Sequence, residues 1–120
     1  MAYTPQPTRI SNPRDEVKRL IIANTVGSCV STPSFDKDML VVKFVCGGQV
    51  GNGVARLDKV KSIELQQYAE WYRVLVHHEA GITDFSWTSK SLDDMQRLAD
   101  ALTALSMPVE GGVTGGDSSI

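Results

Sequence analysis

The residue types that most often bind metals or act as general bases are sparse in this sequence. Its two histidines, His77 and His78, are adjacent and lie in a stretch that alternates like a strand. Neighbouring side chains of a strand point to opposite faces, so the two imidazoles cannot both bind one metal ion from that strand. We predict that one ring is buried or at an interface, that the other faces solvent, and that neither is a metal ligand or a general base.

The two cysteines, Cys29 and Cys46, are too widely spaced for a CxxC zinc or redox motif. Free cysteines usually pack as small apolar side chains, so we predict two buried thiols, with a disulfide as the alternative. No local motif supports a cysteine–histidine nucleophilic pair. The sequence therefore predicts no catalytic residue, no metal site and no cofactor. A pocket lined by Cys46, His77 or His78 with a shifted pKa would instead indicate a cryptic enzyme.

A glycine-rich run covers residues 47–53 and reads Gly-Gly-Gln-Val-Gly-Asn-Gly. It lacks the Lys-Ser/Thr pair of a Walker A motif and does not open a predicted helix, so it does not match a phosphate-binding loop. We predict a hairpin loop here, with a turn at residues 51–53.

Large aromatic residues and an arginine lie in the second half of the chain. Tryptophan, tyrosine and arginine are the residue types most enriched at protein-binding hot spots. Residues of all three types stand together at positions 71–73, directly after a polar stretch at residues 66–70, and two further aromatics share one face of a predicted strand. Core packing is the alternative role for the aromatics. We predict a partner-binding surface formed by Trp71, Tyr72, Arg73, Phe85 and Trp87.

Composition and charge narrow the classes of function. The chain has 120 residues, of which 42% are hydrophobic and 22% charged, as in globular domains. With 12 basic and 14 acidic side chains, its net charge of −2 argues against a general nucleic-acid-binding protein. The longest apolar stretch is far shorter than the roughly 20 residues of a membrane helix, so no transmembrane segment is expected. No secretory signal is visible, and we predict a cytoplasmic protein.

The sequence predicts one domain between two flexible ends. Residues 1–10 contain two prolines, and residues 109–120 are rich in glycine, which makes ordering costly. The last three residues, Ser118-Ser119-Ile120, fit the short pattern of a PDZ-type carboxylate ligand. We therefore expect a single α+β domain at residues 11–108.

Two amphipathic helices are predicted near the ends of this domain. The first, over residues 13–24, begins after Asn12, a good N-cap, and carries apolar residues every three or four positions. The second, over residues 92–106, begins with a capping box of Ser91 and Asp94. The polar face of the second helix, which we expect to be exposed to solvent, carries Asp93, Arg97 and Asp100.

The residues between the helices have the composition and alternation of strands. The clearest hairpin is predicted over residues 72–87, with a turn at 79–81. Other candidate strands are 39–45, 54–57 and 60–65.

Residues 62–72 decide the architecture. As a strand, they give a bent antiparallel sheet or small barrel of about six to seven strands, with an N-terminal helix and a closing C-terminal helix. As a helix, they give the order α-βββ-α-ββ-α. Both good helix formers and a strand-like alternation are present, and we favour the strand.

The strand at 59–65, the hairpin at 72–87 and the capped helix at 91–106 resemble the closing half of a pleckstrin-homology-like (PH-like) domain. In that superfold a strongly bent seven-stranded antiparallel sheet is plugged at one corner by a C-terminal helix. Phosphoinositide-binding members carry several Lys and Arg between their first two strands. The corresponding segment here, 31–38, has one base and two acids. The resemblance therefore implies protein or peptide binding and disfavours phosphoinositide binding.

Three classes of function fit these patterns. The leading hypothesis is a non-enzymatic adaptor module of PH-like type that binds a protein or peptide at a sheet edge or in the groove between sheet and helix. The alternative is a small acidic chaperone that works as a homodimer and binds an extended client protein, which a helix at 62–72 would support. The third is a cryptic enzyme or ligand-binding domain.

Overall fold

The computed structural model describes residues 2–107. Within them, the order of elements is α-βββ-βββ-α, and the strands form two antiparallel sheets with the orders β1-β2-β3 and β4-β5-β6. The predicted α+β class, with a helix at each end, is confirmed. The elements are α1 (Pro13–Ala23), β1 (Val30–Asp36), β2 (Met39–Cys46), β3 (Gln49–Arg56), β4 (Val60–Tyr68), β5 (Trp71–His78), β6 (Phe85–Ser89) and α2 (Leu92–Ser106), with short 3₁₀ turns at Pro7–Arg9 and Leu57–Lys59.

Residues 62–72 form most of β4, a tight turn and the start of β5. The two strands pair antiparallel, with Tyr68 opposite Trp71. Ile63 and Leu65 are buried and the residue between them is exposed, so one face of β4 enters the core. The predicted alternative with a helix in this stretch is wrong, because burial of that face and pairing with β5 outweigh the helix propensity of the sequence.

The chain passes from the first sheet to the second through the 3₁₀ turn at Leu57–Lys59. Leu57 is buried, and its backbone N–H donates to the carbonyl of Asp38 at 2.8 Å. Among residues 2–107, no strand of one sheet pairs with a strand of the other. The predicted single bent sheet or small barrel is therefore wrong in this respect: the six strands form two separate sheets.

The first hairpins differ from their predicted positions. Most of the segment 31–38, which the PH-like resemblance places between the first two strands, lies in β1. The inward positions of this strand hold Ser31 and Pro33, so it lacks the apolar alternation that marks a strand. The turn between β2 and β3 lies at Gly47–Gly48, whose φ angles of 56° and 87° suit a two-residue hairpin loop.

Two glycines lie inside β3, where the sequence predicted a turn. A Cβ atom on Gly51 would lie 2.5 Å from the ring of Phe44, and one on Gly53 would lie 3.1 Å from the ring of Phe85. The two rings occupy the space of the missing side chains. A glycine within a strand often marks such a close approach, which explains why the glycine-rich segment can form part of β3.

The core lies between the sheets and the helices. α2 packs on the second sheet, and α1 packs against α2 and β1. The predicted capping box is present, because Ser91 Oγ accepts a hydrogen bond from the N–H of Asp94 at 3.2 Å. The fully buried large apolar side chains are Val17, Leu20, Ile21, Leu40, Val42, Val74, Val76, Met95, Leu98 and Leu102.

Asp100, on α2, ties the N-terminal segment to the domain. Its fully buried carboxylate accepts hydrogen bonds from the Tyr3 hydroxyl (2.8 Å), the Gln6 backbone N–H (2.6 Å) and Arg9 Nε (2.5 Å). Burial, followed by the bond to Asp100, raises the pKa of Tyr3 to about 12. The predicted exposure of Asp100 is wrong, and three donors hold a segment that the sequence predicted to be flexible at 1–10. The tail predicted at 109–120 lies outside the described residues.

Candidate functional site

Two edge strands from different sheets border a cleft. β3 is the last strand of the first sheet and β6 the last strand of the second. The strands are in contact through the ring of Phe85, which lies against Gly53. In the described part of the chain, no backbone hydrogen bond joins them. Each strand therefore has a row of backbone N–H and C=O groups without a partner strand.

The inner part of this cleft, called the inner cavity below, has a volume of about 280 Å³. Apolar groups dominate its wall, and several of the polar groups there are hydrogen-bonded within the protein. Trp87 Nε1 donates to the carbonyl of Asn24 at 3.3 Å, and the hydroxyls of Thr25 and Ser31 are hydrogen-bonded to each other at 2.8 Å. The lining residues are Asn24, Thr25, Val26, Cys29, Ser31, Phe44, Cys46, Ser86, Trp87 and Thr88.

A disulfide between Cys29 and Cys46 forms part of the wall of the inner cavity. The prediction of two free thiols is therefore wrong. Val30 lies opposite Val45 in the β1–β2 pairing, which places the two cysteines one position further along, across from each other. Their Cα atoms are 4.3 Å apart. The bond depends on the pairing of β1 with β2, and the sequence pattern did not predict β1 as a strand.

The outer part of the cleft, called the outer cavity below, has a volume of about 500 Å³. One wall is β3, and the other is the segment that leads into β6. Phe44 and Ser86 line both cavities, so the two cavities adjoin in the cleft. The lining residues of the outer cavity are Phe44, Asn52, Gly53, Val54, Arg56, Ile82, Thr83, Asp84, Phe85 and Ser86.

His78 is buried and fixes the wall of the outer cavity. Its Nε2 accepts the backbone N–H of Arg56 at 2.9 Å, so its Nδ1 carries the proton and donates to the carbonyl of Thr83 at 2.9 Å. Its backbone N–H donates to Asp84 Oδ1 at 3.0 Å. A neutral imidazole thus connects β3 to the segment on the other side of the cavity.

His77 points to the opposite face, as predicted, and lies between two carboxylates. Its Nε2 is 2.9 Å from Glu64 Oε1, and its Nδ1 is 3.1 Å from Asp84 Oδ2. Glu64 and then Asp84 raise the pKa of His77, while its imidazole lowers the pKa of Glu64. Because the carboxylates flank opposite ring nitrogens, the three groups cannot chelate one metal ion. Within residues 2–107, no group of three or more His, Cys, Asp or Glu side chains is placed to bind one.

No family model, curated protein or solved structure matches this chain. The PH-like resemblance therefore stays a prediction. No helix in the described range has the length and apolar character that crossing a membrane requires.

The five residues of the predicted partner-binding surface are divided between two faces of the second sheet. Trp71 and Arg73 lie on the outer face, where the Arg73 guanidinium is 5.4 Å from the centre of the Tyr68 ring and the Lys90 ammonium is 5.1 Å from that of Trp71. Tyr72 points to the other face and packs against the core.

Phe85 and Trp87 also lie on the inner face, with ring centres 6.4 Å apart. These two are the predicted site residues that the structure places in the cleft. Sequence reasoning missed Phe44 and the disulfide. Alternation within β2 does place Phe44 on the same face as buried Leu40 and Val42, and that signal could have identified it.

The residues that would have indicated a cryptic enzyme do not meet in one cavity. Cys46 lines the inner cavity, but its sulfur is bonded to that of Cys29. His77 has the raised pKa but is not among the residues that line either cavity. His78 is held in the core by hydrogen bonds through both ring nitrogens.

Proposed function

We propose that this protein is a non-enzymatic interaction module that binds an extended segment of a partner protein in the cleft, as an additional strand on β3. The observation that carries the proposal is the position of β3: an edge strand without a partner lies directly beside a cavity of about 500 Å³. The backbone groups of β3 supply hydrogen bonds, and the cavity accepts side chains. This combination is the chemistry of peptide recognition by strand addition.

The edges of the two sheets differ in how well they accept another strand. β1 contains Pro33 and packs against α1, and β4 carries the exposed Lys61. Proline and lysine both discourage pairing at an edge. β3 and β6 contain neither residue, and β3 is the longer of the two, with eight residues against five, which favours it as the acceptor edge.

The side chains of an added strand would alternate between two environments. Those on the inner face would enter the outer cavity beside Phe85. Those on the other face would lie beside Val50 and Val54, which are 73% and 40% exposed. Phe85 on one side and the two valines on the other favour a partner segment of about five or six residues that is apolar at its centre.

A second copy of this chain fits the cleft less well than such a segment. The sequence Val50-Gly51-Asn52-Gly53-Val54 reads the same in both directions, so two copies of β3 could pair around Asn52. That pairing would place glycines at the cavity and leave it unfilled. Larger side chains from a different protein fill it better, and homodimerisation becomes an outcome that the experiment distinguishes.

The strand at 60–68 supports the adaptor hypothesis over the homodimeric chaperone, whose pattern required a helix there. The predicted cytoplasmic location fits less well with the Cys29–Cys46 disulfide, because such bonds persist mainly in oxidising compartments. We therefore propose that the protein works in an oxidising compartment. The PDZ-type pattern at 118–120 lies outside the described residues.

Selection from a phage-displayed library of random peptides of about ten residues tests the proposal directly. We expect enriched peptides with alternating apolar residues, and their binding should shift the amide NMR signals of β3 and of residues 83–86. Val54→Lys should weaken binding by about tenfold or more, because a lysine at the edge disfavours pairing. Val30→Lys is the matched control, since Val30 is exposed on β1 of the same sheet.

Three outcomes would contradict the proposal. The library could yield no binder, the signal shifts could lie outside the cleft, or the two lysine variants could bind equally well. Sedimentation of the peptide-free protein tests whether a second copy of the chain occupies the cleft. A dimer that Val54→Lys disrupts would show that β3 pairs with a second copy.

A further inference from the structure

The carboxylates on either side of His77 belong to different elements. Glu64 lies in β4, and Asp84 lies in the segment between β5 and β6. A neutral imidazole has one N–H and can donate to only one of the two carboxylates, whereas an imidazolium donates to both. The observed arrangement, with each ring nitrogen within 3.1 Å of a carboxylate oxygen, is therefore complete only when His77 is protonated.

The Asp84 carboxylate connects this pair to the cleft. One of its oxygens faces His77 and the other accepts the backbone N–H of His78. The His78 ring in turn holds the carbonyl of Thr83 and the backbone N–H of Arg56. Thr83, Asp84 and Arg56 all line the outer cavity, so His77 is linked to both of its walls through the Asp84 carboxylate and through the backbone and ring of His78.

The carboxylates that face His77 both favour its protonated form. Glu64 faces it from β4 and Asp84 from the segment before β6, and both raise its pKa above the usual 6.5. Arg73 lies beyond Glu64 and favours the charged form of that carboxylate. Deprotonation of His77 leaves one of the two carboxylates without its hydrogen bond and removes both ion pairs.

We propose that protonation of His77 holds the Thr83–Asp84 wall of the outer cavity in its binding position, so that peptide affinity is high at acidic pH and falls as His77 loses its proton. This inference rests on the proposed function, because it describes the regulation of the same cleft. A partner segment would be bound in an acidified compartment and released as the pH rises. We expect the change in affinity to be about fivefold, the lower end of typical coupling between two sites.

The first part of the test uses the protein without peptide. NMR spectra recorded from about pH 5 to pH 9 follow the His77 ring and the amides of Thr83 and Asp84. In the wild type, the three signals should change with one common midpoint above 6.5. In His77→Gln, which cannot change its charge, the two amides should lose that transition. Glu79→Gln, an exposed change in the same segment, is the control that should retain it.

The second part measures the affinity of a library-selected peptide at about pH 6 and about pH 8.5. The wild type and Glu79→Gln should bind about fivefold more tightly at the lower pH, and His77→Gln should show no difference. Amides of Thr83 and Asp84 that do not follow His77 would overturn the inference whether or not a peptide binds. Amides that follow His77 without a change in peptide affinity would overturn the inference alone. The absence of any peptide binding would overturn the proposed function and the regulation with it.

Discussion

Removal of the Cys29–Cys46 disulfide is expected to lower the free energy of unfolding by about 3 kcal/mol. The bond joins residues that are 17 positions apart, and the loop-closure entropy for a loop of this length gives about 3 kcal/mol at 25 °C. Strand pairing between β1 and β2 already brings the two ends together in the folded state, so the main effect of the bond falls on the unfolded chain. For a domain of this size, the loss corresponds to a decrease of roughly 10–15 °C in Tm.

Urea denaturation of the double variant Cys29→Ser/Cys46→Ser, with and without a reducing agent, checks this value. The oxidised wild type should be the most stable sample, and the reduced wild type should be close to the double variant. Addition of the reductant should leave the double variant unchanged, which controls for side effects of the reagent. A loss below about 1 kcal/mol would refute the reasoning, because it would mean that the cysteines are not bonded or that the unfolded chain is already compact there.

Three further changes test the packing of the fold. Leu102→Ala should cost about 2–5 kcal/mol in denaturant melts, because the side chain of Leu102 on α2 is fully buried in the core. Gly51→Ala should cost about 1–3 kcal/mol, and less in a Phe44→Ala background, because the new Cβ meets that ring. Below pH 10, the wild type should be more stable than Tyr3→Phe by a constant free energy of unfolding. This difference should vanish as the pH rises through about 12, because the folded-state pKa of Tyr3 is raised.

The helices were predictable because their signals are local. Residues 13–24 and 92–106 carry both an apolar face and a starting residue, and each helix lies within one position of its predicted bounds. Asp100 was not predictable in the same way. Its three donors lie more than 90 positions away in the sequence, so no local pattern distinguishes a buried, paired carboxylate from an exposed one.

The candidate site was harder to predict than the fold. Strand alternation correctly separated His77 from His78, and the same rule separates Trp71 from Tyr72. Grouping those two aromatic residues in one surface was therefore inconsistent with the rule, and the structure places them on opposite faces. Phe85 and Trp87 share a face and do reach the cleft. The cleft itself depends on the contact between β3 and β6, which connects parts of the chain that sequence patterns treat separately.

The glycines of β3 explain why the edge of this strand remains open. A side chain at position 51 would overlap the ring of Phe44 within the first sheet, and one at position 53 would press on the ring of Phe85 from the second sheet, so glycine suits both positions. Glycine weakens a strand and offers no bulky or charged side chain to protect its edge. An unprotected edge invites association with other chains, which is harmful unless the association is the function. The proposal that β3 accepts a partner strand gives this exposed edge a physical reason, and the pH-dependent wall opposite it provides a means to release the partner.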